Sequence, residues 1–146
     1  MATGRIHTKV SVATSFALIF SFPIVGFNSI LLALGALNGV LVSPDLDVDN
    51  GYIGNFYLRK YLGRWADKLW GVYWYAYARL MPHRSTFSHK PFLGTLIRYV
   101  YMAPVIVISL SIGKHFLGQW YIGQLAFLVL GNIITDILHW IWDGMP

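Results

Sequence analysis

The sequence contains no cysteine. Disulfides, thiolate nucleophiles and cysteine-ligated zinc are excluded together, and any metal has to be held by histidine and carboxylate. Glutamate is absent as well: the six acidic residues are all Asp, against 11 Lys and Arg, for a formal charge of +5. Charge of either sign is scarce, at 12% of residues, while hydrophobic residues make up 56% and the mean hydropathy is +0.55. Ordinary soluble domains run at about 25% charged and about 45–50% apolar. The balance argues against a soluble globule and against a disordered chain. At 146 residues a single domain is expected, with neither an internal repeat nor a low-complexity tract. The basic excess favours contact with a lipid bilayer, its anionic headgroups or a phosphate-containing substrate, and nothing calls for nucleic acid.

What is present in quantity is uninterrupted apolar chain. Val10 to Val42 carries no charge, and as one helix it would run to roughly 50 Å, against a hydrocarbon core of about 30 Å. Pro23, Gly26 and Asn28 are turn residues near its middle, so the run reads as a hairpin of two helices, 10–22 and 24–42. Its length exceeds the apolar core of a signal peptide, although Arg5 and Lys9 precede it. A second apolar pair is predicted at 92–113, interrupted by Arg98, and 116–139, with Lys114 and His115 in the turn. Gly35 and Gly39 have the G-x-x-x-G spacing that lets membrane helices approach closely. The fold expected is an all-α integral membrane protein of two transmembrane hairpins.

Between the hairpins the composition changes. Residues 43–91 hold seven of the 11 basic residues, and Leu58, Tyr61, Leu62, Trp65, Leu69, Val72, Tyr73, Ala76 and Leu80 recur at three- and four-residue steps. Arg59, Lys60, Arg64, Asp67 and Lys68 fall between them. This predicts an amphipathic helical segment over 52–81, broken near Gly63 or Gly71, lying in the membrane interface.

Two hairpins carry a geometric consequence. His7 precedes the first helix, Asp45 and Asp47 follow the second, His83, Arg84 and His89 precede the third, and His139 with Asp143 closes the fourth. All four helix ends lie at one mouth of the bundle, and His115 alone sits at the far turn. His139 and Asp143 are four residues apart on one helix face, with Asp136 one turn deeper, and this stripe should face inward because lipid exposure of such groups is costly. Taken singly, each residue has an ordinary explanation: a polar loop histidine, a turn-capping Asp after Ser43-Pro44, an ion pair at the water boundary. Their convergence points to function. His and Asp from separate elements suit a divalent metal, zinc first, with manganese, iron or magnesium as alternatives. Such an ion supplies Lewis acidity and a hydrolytic nucleophile at neutral pH, and Arg84 is placed to hold a phosphate.

The Gly-Arg-Ile-His7 start, Ser-Pro-Asp45-Leu-Asp47, Pro-His83-Arg84-Ser-Thr-Phe-Ser-His89 and His139-x-x-x-Asp143 resemble a family of small uncharacterised bacterial membrane proteins described as metal-binding. That family is similar to the LexA-regulated, membrane-bound, predicted metal-dependent hydrolases. The resemblance spans nearly the whole chain. It implies a metal centre of His and Asp with hydrolytic activity, and a functional set of His7, Asp45, Asp47, His83, Arg84, His89, His139 and Asp143. In this scheme His7, Asp45, His89 and His139 are metal ligands, Asp47 and Asp143 are ligands or the base and orienting groups, and His83 and Arg84 face substrate.

The function expected is a metal-dependent membrane hydrolase of a phosphoester or lipid-linked substrate. Two alternatives stand beside it. One is a metal-free phosphatase using His89, Arg84, His139 and Asp143, although the Pro-Ser-Gly-His signature of that class is missing. The other is a non-catalytic metal-binding or structural membrane protein. Arg5, Lys9 and the basic central segment, set against Lys114 alone in the other turn, place the site on the cytoplasmic face of a bacterial inner membrane. The oligomeric state is left open.

Overall fold

The structure is a computed structural model that describes residues 4–47, 53–82, 85–119 and 121–144. Among these residues there are nine α-helices, one 3₁₀ turn and no strand. The helices are α1 (Gly4–Ile19), α2 (Phe22–Val25), α3 (Asn28–Asn38), α4 (Ile53–Tyr61), α5 (Arg64–Leu80), α6 (Thr86–His89), α7 (Pro91–Tyr101), α8 (Ala103–Leu117) and α9 (Ile122–Trp142), with the 3₁₀ turn at Pro44–Asp47.

The centre of the molecule is α3, packed between α1 and α9. Leu32, Ala33, Gly35 and Ala36 are buried on it, and Gly131, Asn132 and Thr135 face it from α9. A Cβ at Gly35 would overlap the Leu128 carbonyl, a Cβ at Gly131 would overlap the Leu32 carbonyl, and one at Gly39 would strike Thr135 Oγ1. Backbone therefore meets backbone, which is the packing the Gly35/Gly39 spacing predicts, and α9 returns it with Gly131.

The first apolar run folds back on itself as expected, with different boundaries. In place of 10–22, α1 begins at Gly4, because Arg5, His7 and Lys9 continue the helix although their side chains end the apolar run. In place of 24–42, a single turn, α2, opens with Pro23 and is stopped by Gly26 at φ 59°, after which α3 spans only Asn28–Asn38. Only glycine enters that positive-φ region without strain.

The second run departs further. The continuous helix expected at 92–113 is broken at Met102, and α7 and α8 differ in direction by 64°. Pro104 sits in the first turn of α8, where a missing N–H is harmless, but in a continuous helix its ring would clash with the preceding turn. The turn is not at Lys114 and His115: α8 runs through both to Leu117 and ends at Gly118, φ 76°. The last helix accordingly starts at Ile122 rather than 116 and continues past 139 to Trp142. Among the described residues one helix, α9, is long and apolar enough to cross a membrane, or two if α7 and α8 form one bent span; α3 is apolar but shorter. That is fewer than the four spans expected from the apolar runs.

Of the segment expected at 52–81, the described residues from 53 on form two helices, α4 and α5, separated at Gly63 (φ 88°) and not at Gly71, which lies inside α5. Its helices also bury a second, aromatic face against the rest of the protein. Trp74 and Tyr77 are buried against Val42 and Leu46, with Trp70, Tyr73, Met81 and Tyr101 packed around them. Edge-to-face ring pairs join Tyr73, Trp74, Tyr77 and Tyr101. Trp65, Leu69, Val72 and Leu80, from the recurring apolar positions, stay exposed. The helix has two apolar stripes about 100° apart, and the more aromatic one covers the 3₁₀ turn.

Candidate metal centre

Local sequence explains how each polar side chain arrives. Ser43 Oγ accepts the Asp45 N–H at 3.2 Å, and the Leu46 N–H closes the turn on the Ser43 carbonyl, so Ser-Pro-Asp forms a capped 3₁₀ turn that presents Asp45 and Asp47. Ser85 Oγ accepts the Ser88 N–H at 3.3 Å and caps α6, the one-turn helix that ends at His89. Pro91 then starts α7. His7 lies in the first turn of α1, His139 in the last turn of α9, and Asp143 is the cap residue after it.

These elements converge. Asp143 bridges two histidines, with Oδ1 3.2 Å from His7 Nε2 and Oδ2 3.2 Å from His139 Nε2. The two imidazoles are stacked at 3.6 Å between centroids and 10° between planes. Asp45 Oδ1 stands 3.6 Å from His139 Nε2, and the His89 ring centre is 6.0 Å from that of His139. At His89, Nδ1 faces Ser88 Oγ at 2.9 Å and Asp47 Oδ2 at 3.5 Å. A carboxylate on the second ring nitrogen is how ligating histidines are commonly oriented. The cluster is deep: His7, His89, Asp47 and His139 are each 5–7% exposed, and Asp45 meets the surface with 22% of its side chain.

Two overlapping sets have donor atoms within 4.8 Å of one another: His7, Asp45 and His139, and His89, His139 and Asp143. A tetrahedral shell at about 2.0–2.1 Å places its donors roughly 3.3 Å apart, so a small contraction completes either set. His7 Nδ1 is buried without a hydrogen-bond partner among the described residues. A buried polar atom left unpaired costs about 1–3 kcal/mol, which a bound cation relieves. On both counts the residues fit a divalent ion.

Of the residues singled out from sequence, the structure brings together His7, Asp45, Asp47, His89, His139 and Asp143. Asp47 belongs to neither donor set and sits at His89 Nδ1 instead. His83 and Arg84 lie outside the described residues. His115 is exposed near the end of α8, with Phe116 against its ring, and is in neither set. Asp136 is buried one turn beneath the cluster, as its place on the inward stripe predicts, but sequence reasoning missed its partners: Arg98 is fully buried and paired with it, and Thr95 Oγ1 sits between Asp136 Oδ2 and the Pro91 carbonyl. A signal was available, since Arg98 and Asp136 fall inside the predicted helices 92–113 and 116–139 and each needs a partner there. Above this layer, burial raises the Tyr77 phenol from its ordinary value; Arg98 opposes that rise, and Asp47 and Asp136 add to it.

No curated protein and no solved structure matches the chain. The family model for an uncharacterized metal-binding protein, DUF2227, matches residues 2–137. That span contains His7, Asp45, Asp47 and His89, and His139 with Asp143 follows directly after it. The chain therefore belongs to the uncharacterized metal-binding protein family DUF2227.

Proposed function

We propose that this protein is a membrane-embedded, metal-dependent hydrolase whose substrate is a phosphoester, lipid-linked or at the lipid headgroup level. The observation that supports it is the meeting of six His and Asp side chains from four separate parts of the chain, with His139 shared by both donor sets. One ion of three or four ligands does not need so many groups. A divalent cation here would supply Lewis acidity to a phosphoryl oxygen. The chain's own residues do the rest. Asp143 holds His7 and His139 in register, Asp47 orients His89, and Asp45 marks the side from which a substrate arrives. Arg84 and His83, five and six residues before His89, are assigned to the phosphate on their charge and their place in the sequence.

Support for the bilayer comes from the surface. None of the 15 residues of α8 is buried, and Val105, Val107, Ile108, Ile112, Phe116 and Leu117 are exposed on it, an apolar surface that water does not favour. Around α4 and α5, Lys60 lies over Tyr61, Lys68 over Trp65 and Arg79 over Tyr75, the mixture of cations and rings found at headgroup depth.

The test is metal analysis of the detergent-purified protein together with phosphatase and phospholipase assays before and after chelation. We expect a near-stoichiometric divalent metal and turnover that is lost on stripping and restored by the metal. Activity fully retained without metal would overturn the metal-dependent reading, and vanadate-sensitive turnover with a trapped phosphohistidine would put the metal-free phosphatase in its place. The depth of the three imidazoles favours a second reading, a structural metal site, which predicts bound metal, no turnover and a lower melting temperature after stripping.

A further inference from the structure

Arg98 and Asp136 are an ion pair buried in the bundle, 0% and 1% exposed, and neither belongs to a donor set. Their hydrogen bonds lead outward to the segments that carry the cluster. Arg98 uses Nη2 for Asp136 Oδ2 and Nη1 for the Ser88 carbonyl at 3.0 Å, the peptide unit joined directly to His89. Gly94 lies beneath that same carbonyl, where a Cβ would overlap it, so α6 is seated on the backbone of α7. On the other side, Asn132 Nδ2 reaches Asp136 Oδ1 at 3.4 Å and the Val42 carbonyl at 3.2 Å. Val42 precedes Ser43, the residue that caps the turn carrying Asp45 and Asp47. The amide oxygen of Asn132 accepts from Asn38 Nδ2 and from the Tyr99 hydroxyl, both at 3.3 Å, so the orientation of this side chain is held from both ends.

A buried ion pair is a poor way to gain stability, because apolar residues of similar volume often do as well or better. Its better-attested use is to fix register. We propose that Arg98, Asp136 and Asn132 form a positioning network that sets the separation between the Asp45–Asp47 turn and His89 around His139. The inference rests on the metal-centre reading above. Arg98 suits the task because its rigid fork serves two acceptors at once, which a single ammonium nitrogen does less well. Neither Arg98 nor Asn132 is placed against the metal, so both act through the segments they hold.

The experiment compares wild type with R98K and N132L, two variants that keep Asp136 in place and leave all six cluster residues intact. Cobalt affinity is read from a visible absorption titration of the metal-free protein in detergent, and amide hydrogen exchange is measured on the same protein without metal. We expect both variants to remain helical and to bind cobalt about 10–100-fold more weakly, the range found when groups orienting a metal ligand are lost. Exchange should rise at residues 85–90 in R98K and at residues 40–47 in N132L, with α8 unchanged in each. Wild-type cobalt affinity together with wild-type exchange in both variants would overturn the proposal. If R98K fails to fold, R98M/D136L, which leaves no buried charge unpaired, carries the same two readouts. A wild-type protein that takes up no cobalt would count against the metal-centre reading, and the exchange comparison would still decide the network.

Discussion

His139 is the one side chain common to both donor sets, and its neighbours define what each substitution should do. Asp143 and Asp45 approach its Nε2, His7 stacks on its ring and His89 stands edge-on to it. His139→Ala removes a donor from both sets at once, so metal content measured by elemental analysis is expected to fall close to zero. His7→Ala and His89→Ala each break one set and should lower occupancy less. Asp47→Asn keeps the shape but weakens the hold on His89 Nδ1, and a loss of about 10–100-fold in metal affinity is expected. Arg84→Ala should leave occupancy intact and abolish turnover or phosphate affinity. His115→Ala is the control, since it lies on α8 outside both sets. If His115→Ala stripped the metal and His7→Ala did not, the grouping of these residues would be wrong.

At the scale of elements, the contact between α3 and α9 carries the sharpest prediction, because its glycines admit nothing larger. Gly131→Leu would drive a side chain into the Leu32 carbonyl, which is backbone and has nowhere to move. Overpacking of this kind costs about 1–3 kcal/mol or more, so a clearly lower melting temperature is expected. Gly71→Ala, where a Cβ meets open space, should leave the melting temperature unchanged or raised, since alanine favours helix. Equal melting temperatures for the two variants would refute the close α3–α9 approach. This contact was legible in the sequence through Gly35 and Gly39, and the convergence of His7, Asp45, His89 and His139 was legible through the hairpin arrangement. The helix ends were not, because an apolar run records the surroundings of side chains and a helix continues wherever its backbone can bond. Lys9 in α1 and Lys114 in α8 are both cases. The kink at Met102 was hidden for the opposite reason: Pro104 breaks the helix without interrupting the apolar pattern. Choosing the buried stripe of α5 required knowing that Val42 and Leu46 lie against Trp74 and Tyr77, a contact between residues some 30 positions apart that periodicity does not carry.

At the scale of the whole molecule, the proposal of a bilayer can be tested apart from any metal. The cluster gathers the start of α1, the turn after α3, the end of α6 and the end of α9 at one end of the bundle. Arg5 and Lys9 lie at that end, and the intervening segment with α4 and α5 adds Arg59, Lys60, Arg64, Lys68 and Arg79. Lys114 lies near the other end of the chain's last apolar pair, in the final turn of α8. If the protein is embedded in a bilayer as proposed, the positive-inside rule would set the cluster and α5 toward the cytoplasm and the end of α8 outside. Because the sequence has no cysteine, single-cysteine labelling needs no prior removal of native thiols. In intact cells, an impermeant maleimide is expected to label Lys114→Cys directly and Asp67→Cys only after the membrane is opened. The reverse pattern would refute the orientation. Labelling of both positions from the same side would show that α7 and α8 do not cross the bilayer between them, and the membrane-embedded arrangement would fall with it.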